Sequence, residues 1–244
     1  MVLQTGRVAC LLLPRSYPAT LMDSMKNLLI YGCGGLGLEI LSYVKAVHDD
    51  NTPDKPQVTG FIDDDIDSAR VEDARAVWPV DYTLYEGVEN APAGHAVIIA
   101  IGEPQTRAKV FEKSVAAGLV PYTLVHPSAV VSPAANIGAG CILGPFSFVG
   151  PIARVGQNCI INNYASVGHD ATVGDSSVLS PYSSLNGSAS CGERSFLGTA
   201  SVILVGKALG ASSKLSAGSL LNTDTDAGAL AIGNPAKWRV MFRA

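Results

Sequence analysis

Hydrophobic residues recur at every sixth position through the second half of the chain. Seventeen consecutive hexapeptides run from Val125 to Asp226, and each begins with Val, Ile or Leu except the one that begins with Cys191. The fifth position holds Ala, Ser, Cys or Thr in every hexapeptide except the one that contains Lys207. A six-residue period of this length predicts a parallel β-helix.

Three hexapeptides are expected to close one triangular coil of about eighteen residues, and successive coils stack at the strand spacing of roughly 4.8 Å. The first residues then form three internal columns, which begin at Val125, Val131 and Ile137 and are apolar throughout. Glycine fills the second position nine times, at residues 138, 144, 150, 156, 168, 174, 192, 198 and 210. We expect these glycines at tight corners that need unusual backbone angles.

The first half of the chain follows a different pattern. From Asn27 it reads as a short apolar strand, a glycine-rich turn and an amphipathic helix that extends to about His48. Gly32, Gly34 and Gly37 fit G-x-G-x-x-G in the expected context, with a strand before and a helix after. The helix N-terminus and the tight turn predict a seat for a phosphate group.

Two further strands in this half end in candidate ligand contacts. The strand over residues 57–62 precedes Asp63, Asp64 and Asp65, and the strand over 95–101 precedes Gly102 and a helix that carries Arg107. Alternating strands and helices predict a parallel sheet whose strand ends share one crevice. Fewer than 100 residues precede the repeats, which suits a single nucleotide better than a dinucleotide.

These patterns predict three segments: a flexible extension over 1–25, a Rossmann-like α/β domain over 26–122 and a β-helix with a C-terminal tail over 123–244. Charge separates the last two. Residues 26–124 carry 23 charged side chains in 99 positions, and residues 125–226 carry 9 in 102. A β-helix with few surface charges is expected to be covered by other copies of itself, which predicts a homo-oligomer.

Composition excludes several classes of function. A net charge of −4 without a basic cluster argues against nucleic-acid binding, and no apolar run approaches the roughly 20 residues of a membrane span. The five cysteines are odd in number and form no C-x-x-C pair. Cys141 and Cys159 occupy the same frame position one coil apart, and small buried thiols in a reducing cytosol are favoured over a disulfide between them.

Candidate chemistry in the repeats centres on one histidine. Of four histidines in the chain, only His126 and His169 lie in the repeats, too few for a three-histidine zinc site, so no metal is expected. His169 occupies the outward third position of its hexapeptide, beside Asp170. A carboxylate can orient a histidine that removes and returns a proton near neutral pH. A solvated surface histidine is the alternative that the spacing leaves open.

Six stretches in order carry a resemblance to a known family. They are Y-G-C-G-G-L-G at 31–37, G-F-I-D-D at 60–64, I-A-I-G at 99–102 with Arg107, L-V-H-P-S-A at 124–129, I-N-N-Y-A-S-V-G-H-D at 161–170 and G-N-P-A-K at 233–237. The chain thus resembles the hexapeptide-repeat sugar acyltransferases of the sialic acid O-acetyltransferase and nucleotide-amino-sugar N-acetyltransferase type. Their fold joins a Rossmann-like domain to a left-handed β-helix.

The resemblance implies an acetyl-CoA-dependent N-acetyltransferase that acts on a nucleotide-linked amino sugar of the UDP-4-amino-sugar type. It implies a cytoplasmic homotrimer that serves bacterial surface glycan synthesis, with active sites between β-helices. His169 is similar to the family's general base and Asp170 to its carboxylate partner. The implied substrate contacts are Gly34, Gly35, Leu36, Asp63, Asp64, Gly102 and Arg107. The implied acetyl-CoA contacts are Gly187, Thr199, Ala217, Gly218, Pro235 and Lys237.

Two positions depart from the family pattern. Val178 stands where many members have a second histidine that contacts acetyl-CoA, and Leu36 stands where the glycine turn often has histidine. Two other functions therefore remain open from the sequence: a sugar O-acetyltransferase of the sialic acid type, and a trimeric sugar-binding scaffold without catalysis. A covalent acyl-enzyme is not expected, because no cysteine is near His169 in the sequence pattern.

Overall fold

The structure is a computed structural model and describes residues 26–47, 56–65 and 82–242. The predicted extension over 1–25, with Cys10, and the predicted helix end at His48 lie outside the described residues.

The N-terminal domain is built on a five-stranded parallel sheet. Its strands follow the order β3-β2-β1-β4-β5. They are β1 (Asn27–Tyr31), β2 (Gln57–Asp63), β3 (Thr83–Glu86), β4 (Ala96–Ile99) and β5 (Val120–Pro121). Helix α1 (Gly35–Val47) follows β1, helix α2 (Pro104–Ala116) follows β4, and a 3₁₀ turn spans Val88–Asn90. The alternation of strands and helices confirms the predicted α/β fold class.

Helix α2 begins with a strong start signal. Glu103 is its N-cap and accepts a hydrogen bond from the backbone N–H of Thr106 at 2.8 Å, with Pro104 at the first helical position. A capping carboxylate satisfies one of the unpaired amides at a helix start, and the fixed φ of proline suits that position. The helix is therefore anchored directly after the loop that contains Gly102.

The remaining strands form a left-handed parallel β-helix with three flat faces. Face I contains β6 (Leu124–Val125), β9 (Ile142–Leu143), β12 (Ile160–Ile161), β15 (Val178–Leu179), β18 (Phe196–Leu197) and β21 (Lys214–Leu215). Face II contains β7 (Val130–Val131), β10 (Phe148–Val149), β13 (Ser166–Val167), β16 (Ser184–Leu185), β19 (Val202–Ile203) and β22 (Leu220–Leu221). Face III contains β8 (Asn136–Ile137), β11 (Arg154–Val155), β14 (Thr172–Val173), β17 (Ser190–Cys191) and β20 (Ala208–Leu209). The hairpin of β23 (Ala229–Gly233) and β24 (Ala236–Val240) closes the end of face I.

The register confirms the three internal columns. Val125 pairs with Leu143, Val131 with Val149, and Ile137 with Val155, each with the residue one coil further along the chain. From the second coil onward these first-position side chains are at most 3% exposed and form one continuous core. Their burial is the main contribution to stability here, because each apolar side chain removed from water contributes about 1.5–3 kcal/mol.

The role predicted for the second-position glycines is wrong. None of the nine has a positive φ; the left-handed residues occupy the fourth position, where most are not glycine, as at Asn158, Tyr164 and Asp170. The second-position glycines are needed for close approach instead. A Cβ on Gly138 would lie 2.6 Å from the backbone nitrogen of Gln157 in the next coil. Glycine thus lets successive coils come together at each corner.

Four cysteines fall within the described residues, and all four are free and buried. Cys141 donates its thiol to the Gly156 carbonyl at 3.0 Å, and Cys159 donates to the Gly174 carbonyl at 3.2 Å. Ser177 makes the equivalent bond to the Gly192 carbonyl at 2.9 Å. The small fifth-position side chains therefore link one coil to the next, as the interpretation of these cysteines as buried thiols predicts.

The N-terminal domain covers face I. Outward residues of this face, among them Ile142, Ile160 and Val178, join a buried cluster with Ile30 and Leu41 of the α/β domain. At one edge of face I, the ring of Tyr43 meets that of His126 with a centroid distance of 5.7 Å. Faces II and III, with the corner between them, therefore lie on the far side of the β-helix from its own α/β domain.

Across the part of the chain that the structure describes, no helix is long and apolar enough to cross a membrane. The same residues contain no group of three or more His, Cys, Asp or Glu side chains placed to hold a metal ion.

Candidate active site

His169 lies at the corner between faces II and III, in the turn that joins β13 to β14. Its Nδ1 is 2.8 Å from Oδ2 of Asp170, whose left-handed backbone (φ 58°) turns the carboxylate toward the ring. In the tautomer where Nδ1–H donates to Asp170, Nε2 has an unshared lone pair. Both side chains are open to solvent, with exposed fractions of 65% and 48%. The pair has the geometry of an oriented general base.

Gly187 lies one coil below His169, directly against the imidazole. A Cβ at this position would be 2.5 Å from Nε2 of His169, so only glycine leaves the ring its place. A Cβ on Gly168 would be 2.6 Å from the Gly187 nitrogen. The two glycines thus allow the close approach of the His169 ring and the backbone of the next coil. Sequence reasoning named Gly187 but missed Gly168, although the column of second-position glycines marks it.

The glycine turn lies at the carboxyl end of the parallel sheet, as the motif predicts. Gly32 has a φ of 107°, and a Cβ on Gly37 would collide with the Gly32 carbonyl. Gly34 and Gly35 are exposed at the start of α1. Leu36 approaches Gly102, with 3.9 Å between its Cδ2 and the position of a Cβ on that glycine. The structure therefore brings the turn and the loop after β4 together at one sheet edge.

Asp63, the last residue of β2, and Asp64, which follows it, make different contacts. Asp63 accepts the Cys33 N–H at 2.8 Å with one oxygen and the Asp65 N–H at 3.1 Å with the other. Burial and the nearby Asp63 carboxylate raise the pKa of the Cys33 thiol to about 12. Asp64 is exposed and accepts the Tyr31 hydroxyl at 2.8 Å, and burial with this contact raises the pKa of Tyr31. Asp63 thus stabilises the glycine turn by its hydrogen bond with Cys33, and Asp64 is the more accessible carboxylate.

The assignment of Arg107 as a substrate contact is contradicted by its burial. The residue is 0% exposed, and its guanidinium donates to the backbone carbonyls of Asn158 at 2.6 Å, Ile101 and Gly140 at 3.4 Å, and Ile99. The Asn158 amide returns a bond to the Arg107 carbonyl at 3.2 Å. Burial lowers the pKa of Arg107 to about 10, which still leaves it charged at neutral pH. Arg107 therefore fastens the α/β domain to the β-helix.

The remaining implied acetyl-CoA contacts gather at another corner, between faces I and II. Gly218 donates its backbone N–H to the Thr199 carbonyl at 2.8 Å, with Ala217 adjacent. The β23–β24 hairpin reaches the same place, because Gly233 donates to the Ser219 hydroxyl at 2.9 Å. Pro235 is in the hairpin tip, and Lys237 is exposed on β24. One protomer thus carries these residues on a different corner from His169 and Gly187.

Val178 is explained by its surroundings. It is 4% exposed and packs in the apolar cluster between face I and the α/β domain. A histidine there would lose most of its hydration, which costs free energy unless a polar group pairs with it. Valine at this position suits the domain interface, which lies across the β-helix from the corner of His169.

Comparisons with known proteins agree with this architecture. Residues 27–114 match the model of the PglD N-terminal domain. No curated protein matches the sequence. PerB from Caulobacter crescentus, solved in complex with CoA and GDP-perosamine, is 28% identical and superposes with a TM-score of 0.75 over 87% of this chain and 97% of that one. The acetyltransferase domain of PglB from Neisseria gonorrhoeae is 25% identical, with a TM-score of 0.76 over 87% and 98%.

The similarity to these two proteins extends over both domains and nearly their full lengths. WeeI from Acinetobacter baumannii, 22% identical with a TM-score of 0.70, shares the fold. The matched N-terminal domain and the left-handed β-helix occur together, and an exposed His-Asp pair occupies a corner of the β-helix. The chain is therefore an acyltransferase, similar over both domains to hexapeptide-repeat sugar N-acetyltransferases, and its N-terminal domain matches the PglD type.

Proposed function

We propose that this protein transfers an acetyl group from acetyl-CoA to the amino group of a nucleotide-linked amino sugar, with His169 as the general base. The observation that carries the proposal is the contact of His169 Nδ1 with Asp170 at 2.8 Å, together with the placement of Nε2 against Gly187. PerB in complex with CoA and GDP-perosamine supports the class of both substrates. The proposed setting is the cytoplasm, in the synthesis of bacterial surface glycans.

The proposed reaction is a direct transfer. The sugar amine attacks the thioester carbonyl while Nε2 of His169 takes a proton from the nitrogen. The oxyanion that forms is stabilised by backbone N–H groups. The N–H of Gly187 is the proposed donor, because no backbone carbonyl of the described residues accepts from it. The carbon–sulfur bond then breaks, and the imidazolium returns its proton to the departing thiolate. Asp170 stabilises the imidazolium between these two steps.

The nucleotide is proposed to occupy the glycine turn. Gly34, Gly35 and Leu36 would line the phosphate and sugar side, with Gly102 on the neighbouring loop. Asp64 is the carboxylate with an exposed face for a ribose or base edge. The UDP-linked 4-amino sugar that the resemblance implies is the first candidate, and nucleotides with other bases are tested beside it.

The active site is proposed to lie between subunits of a homotrimer. Face I is covered by the protomer's own α/β domain, whereas the outward positions of face II have no charged side chain; they are Val130, Phe148, Ser166, Ser184, Val202 and Leu220. If face II lines the threefold axis, the corner with His169 meets the I/II corner of the next subunit. Thr199, Ala217 and Gly218 of that neighbour would then hold the pantetheine arm beside His169.

The activity is tested by CoA release across UDP-, dTDP-, GDP- and CDP-linked amino sugars, with free sialic acid as a hydroxyl acceptor. We expect transfer to one nucleotide amino sugar and a fall of about 10²–10⁴-fold in kcat for His169→Ala. Ser188→Ala, on the same corner, is the control and should keep full activity. Near-normal turnover by His169→Ala would contradict the mechanism. Transfer to sialic acid alone would favour the O-acetyltransferase, and binding without CoA release would favour a scaffold.

The shared site is tested by mixing two inactive variants. His169→Ala removes the base, and Ala217→Arg blocks the proposed arm channel at the other corner. If each site combines the His169 corner of one subunit with the Ala217 corner of the next, random mixed trimers regain about a quarter of the sites. If both corners of one subunit serve the same site, the mixture of the two variants should contain no active site. Each variant mixed with wild-type protein is the control, and about half of its sites should be active.

A further inference from the structure

Three aromatic rings form an exposed ladder along the I/II corner. Phe146, Tyr164 and Tyr182 are fourth-position residues of successive coils, with ring centroids 5.0 and 4.8 Å apart and interplanar angles of 18° and 1°. Their exposed fractions are 56%, 46% and 57%. The ladder ends abruptly, because Ala200 and Gly218 continue the same column in the next two coils. A Cβ on Gly218 would have no neighbour within 4 Å.

Two of these rings lie at the same height along the β-helix axis as His169 and Gly187 on the II/III corner. Counting coils from Val125, Tyr164 and His169 belong to the third coil, and Tyr182 and Gly187 belong to the fourth. In a ring of subunits whose symmetry axis runs parallel to the β-helix, residues of the same coil lie at the same height. The neighbour's Tyr164 then faces His169, and its Tyr182 faces Gly187.

We propose that Tyr182 of one subunit limits the length of the acyl group that the neighbouring subunit's His169 transfers. The inference rests on the proposed function. The pantetheine arm would follow the small residues of the fifth and sixth coils, Thr199, Ala200, Ala217 and Gly218. At the fourth coil the arm meets the rigid ring of Tyr182, where the thioester must lie to reach Gly187. The acyl chain therefore has room for a methyl group and little more, while Tyr164 borders the acceptor sugar.

The acyl preference tests this directly. For Tyr182→Ala we expect the ratio of kcat/KM for butyryl-CoA to that for acetyl-CoA to rise by about tenfold or more, since each methylene admitted to a pocket changes discrimination by about 10-fold or more. Tyr182→Phe keeps the ring and should keep the wild-type ratio. Phe146→Ala is the matched control, because it removes one ring of the same ladder a coil away from His169. An unchanged ratio in Tyr182→Ala, or the same rise in Phe146→Ala, would overturn the proposal.

Cross-linking tests the placement without relying on activity. In a Cys10→Ser background, Tyr182→Cys combined with Ser188→Cys should be joined between subunits by a short bismaleimide, because Ser188 is exposed beside Gly187 and the four described cysteines are buried. Phe146→Cys with Ser188→Cys, two coils apart in height, should cross-link at least tenfold less. If the cysteine variant cross-links between subunits but the protein without the added cysteines transfers no acyl group, the placement of Tyr182 is supported and the proposed function is contradicted. An active trimer without these cross-links would overturn the placement.

Discussion

Two of the candidate site residues in the α/β domain differ from the His-Asp pair of the β-helix in what their side chains contact. In the α/β domain, the groups that resemble ligand contacts are occupied by the protein itself: Arg107 donates to backbone carbonyls, and Asp63 accepts from backbone amides. In the β-helix, His169 and Asp170 contact each other and are otherwise open to solvent. The difference follows from how each fold satisfies its backbone. It separates side chains that hold the structure from side chains that are available for chemistry.

In the β-helix, backbone groups at the corners form hydrogen bonds with the next coil, and the repeat provides these bonds in every coil. Gly150 donates to the Val167 carbonyl at 2.8 Å and Gly168 to the Leu185 carbonyl at 2.7 Å, each bond reaching the next coil. Because every coil supports the next, an outward residue such as His169 can vary without loss of backbone bonds. The α/β domain joins unlike elements, and its loops need side chains such as Asp63 to satisfy their amides.

The largest effect on stability is expected where the two domains meet. Arg107→Met would leave the carbonyls of Asn158, Ile99 and Gly140 without their buried donor, and each unsatisfied group costs about 1–3 kcal/mol. We expect the free energy of unfolding to fall by about 3–5 kcal/mol, measured by urea denaturation. Lys109→Met, on the exposed side of the same helix, is the control and should change it by less than about 0.5 kcal/mol. A loss of less than about 1 kcal/mol in the free energy of unfolding of Arg107→Met would show that the hydrogen bonds of Arg107 between the domains are dispensable.

A smaller effect is expected from the close approach of coils. Gly138→Ala would press a Cβ to 2.6 Å from the Gln157 nitrogen, and overpacking of this kind costs about 1–3 kcal/mol. Gly206 has a φ of 68° and open space around its Cβ position. Gly206→Asn should change stability by less than about 0.5 kcal/mol, because asparagine tolerates this backbone region and Asn158 already adopts it in the same frame. Thermal denaturation of both variants measures the difference. Equal losses would mean that the left-handed backbone, rather than coil spacing, selects glycine.

The sequence predicted the β-helix well because a strict period assigns each residue to a face. The columns of Val125, Val131 and Ile137 follow from that period alone, and so does the outward position of His169. The period could not tell why glycine occupies the second position, since a left-handed turn and a close contact between coils select the same residue. The distances at Gly138 and Gly168 are needed to decide.

The α/β domain was less predictable beyond its elements. The glycine motif placed the turn correctly, but the partners of Arg107 lie far along the chain, at Gly140 and Asn158. No local pattern connects an arginine in one fold to carbonyls in another. Asp63 shows the same limit, because a carboxylate after a strand has the same sequence whether it contacts a ligand or its own turn.

The smallest predicted effect is a pH dependence at the other edge of the domain interface. His126 packs against Tyr43, and its Nδ1 accepts the Ser128 N–H at 3.2 Å. Burial lowers the pKa of His126 below its usual value of about 6.5. The unfolded chain therefore binds this proton more readily. The stability that neutral His126 contributes is complete above about pH 6.5 and is lost as the pH falls through the folded-state pKa.

We therefore expect wild-type protein to lose more stability than His126→Gln when the pH is lowered from about 7 to about 5. Urea denaturation at several pH values gives the difference between the two slopes, and that difference isolates His126 from the carboxylates, which both proteins share. Glutamine keeps an amide oxygen that can accept from Ser128 and does not titrate in this range. Parallel profiles would mean that His126 is hydrated when the domains are joined. Face I would then be sealed by Arg107 at one corner and open to water at the other.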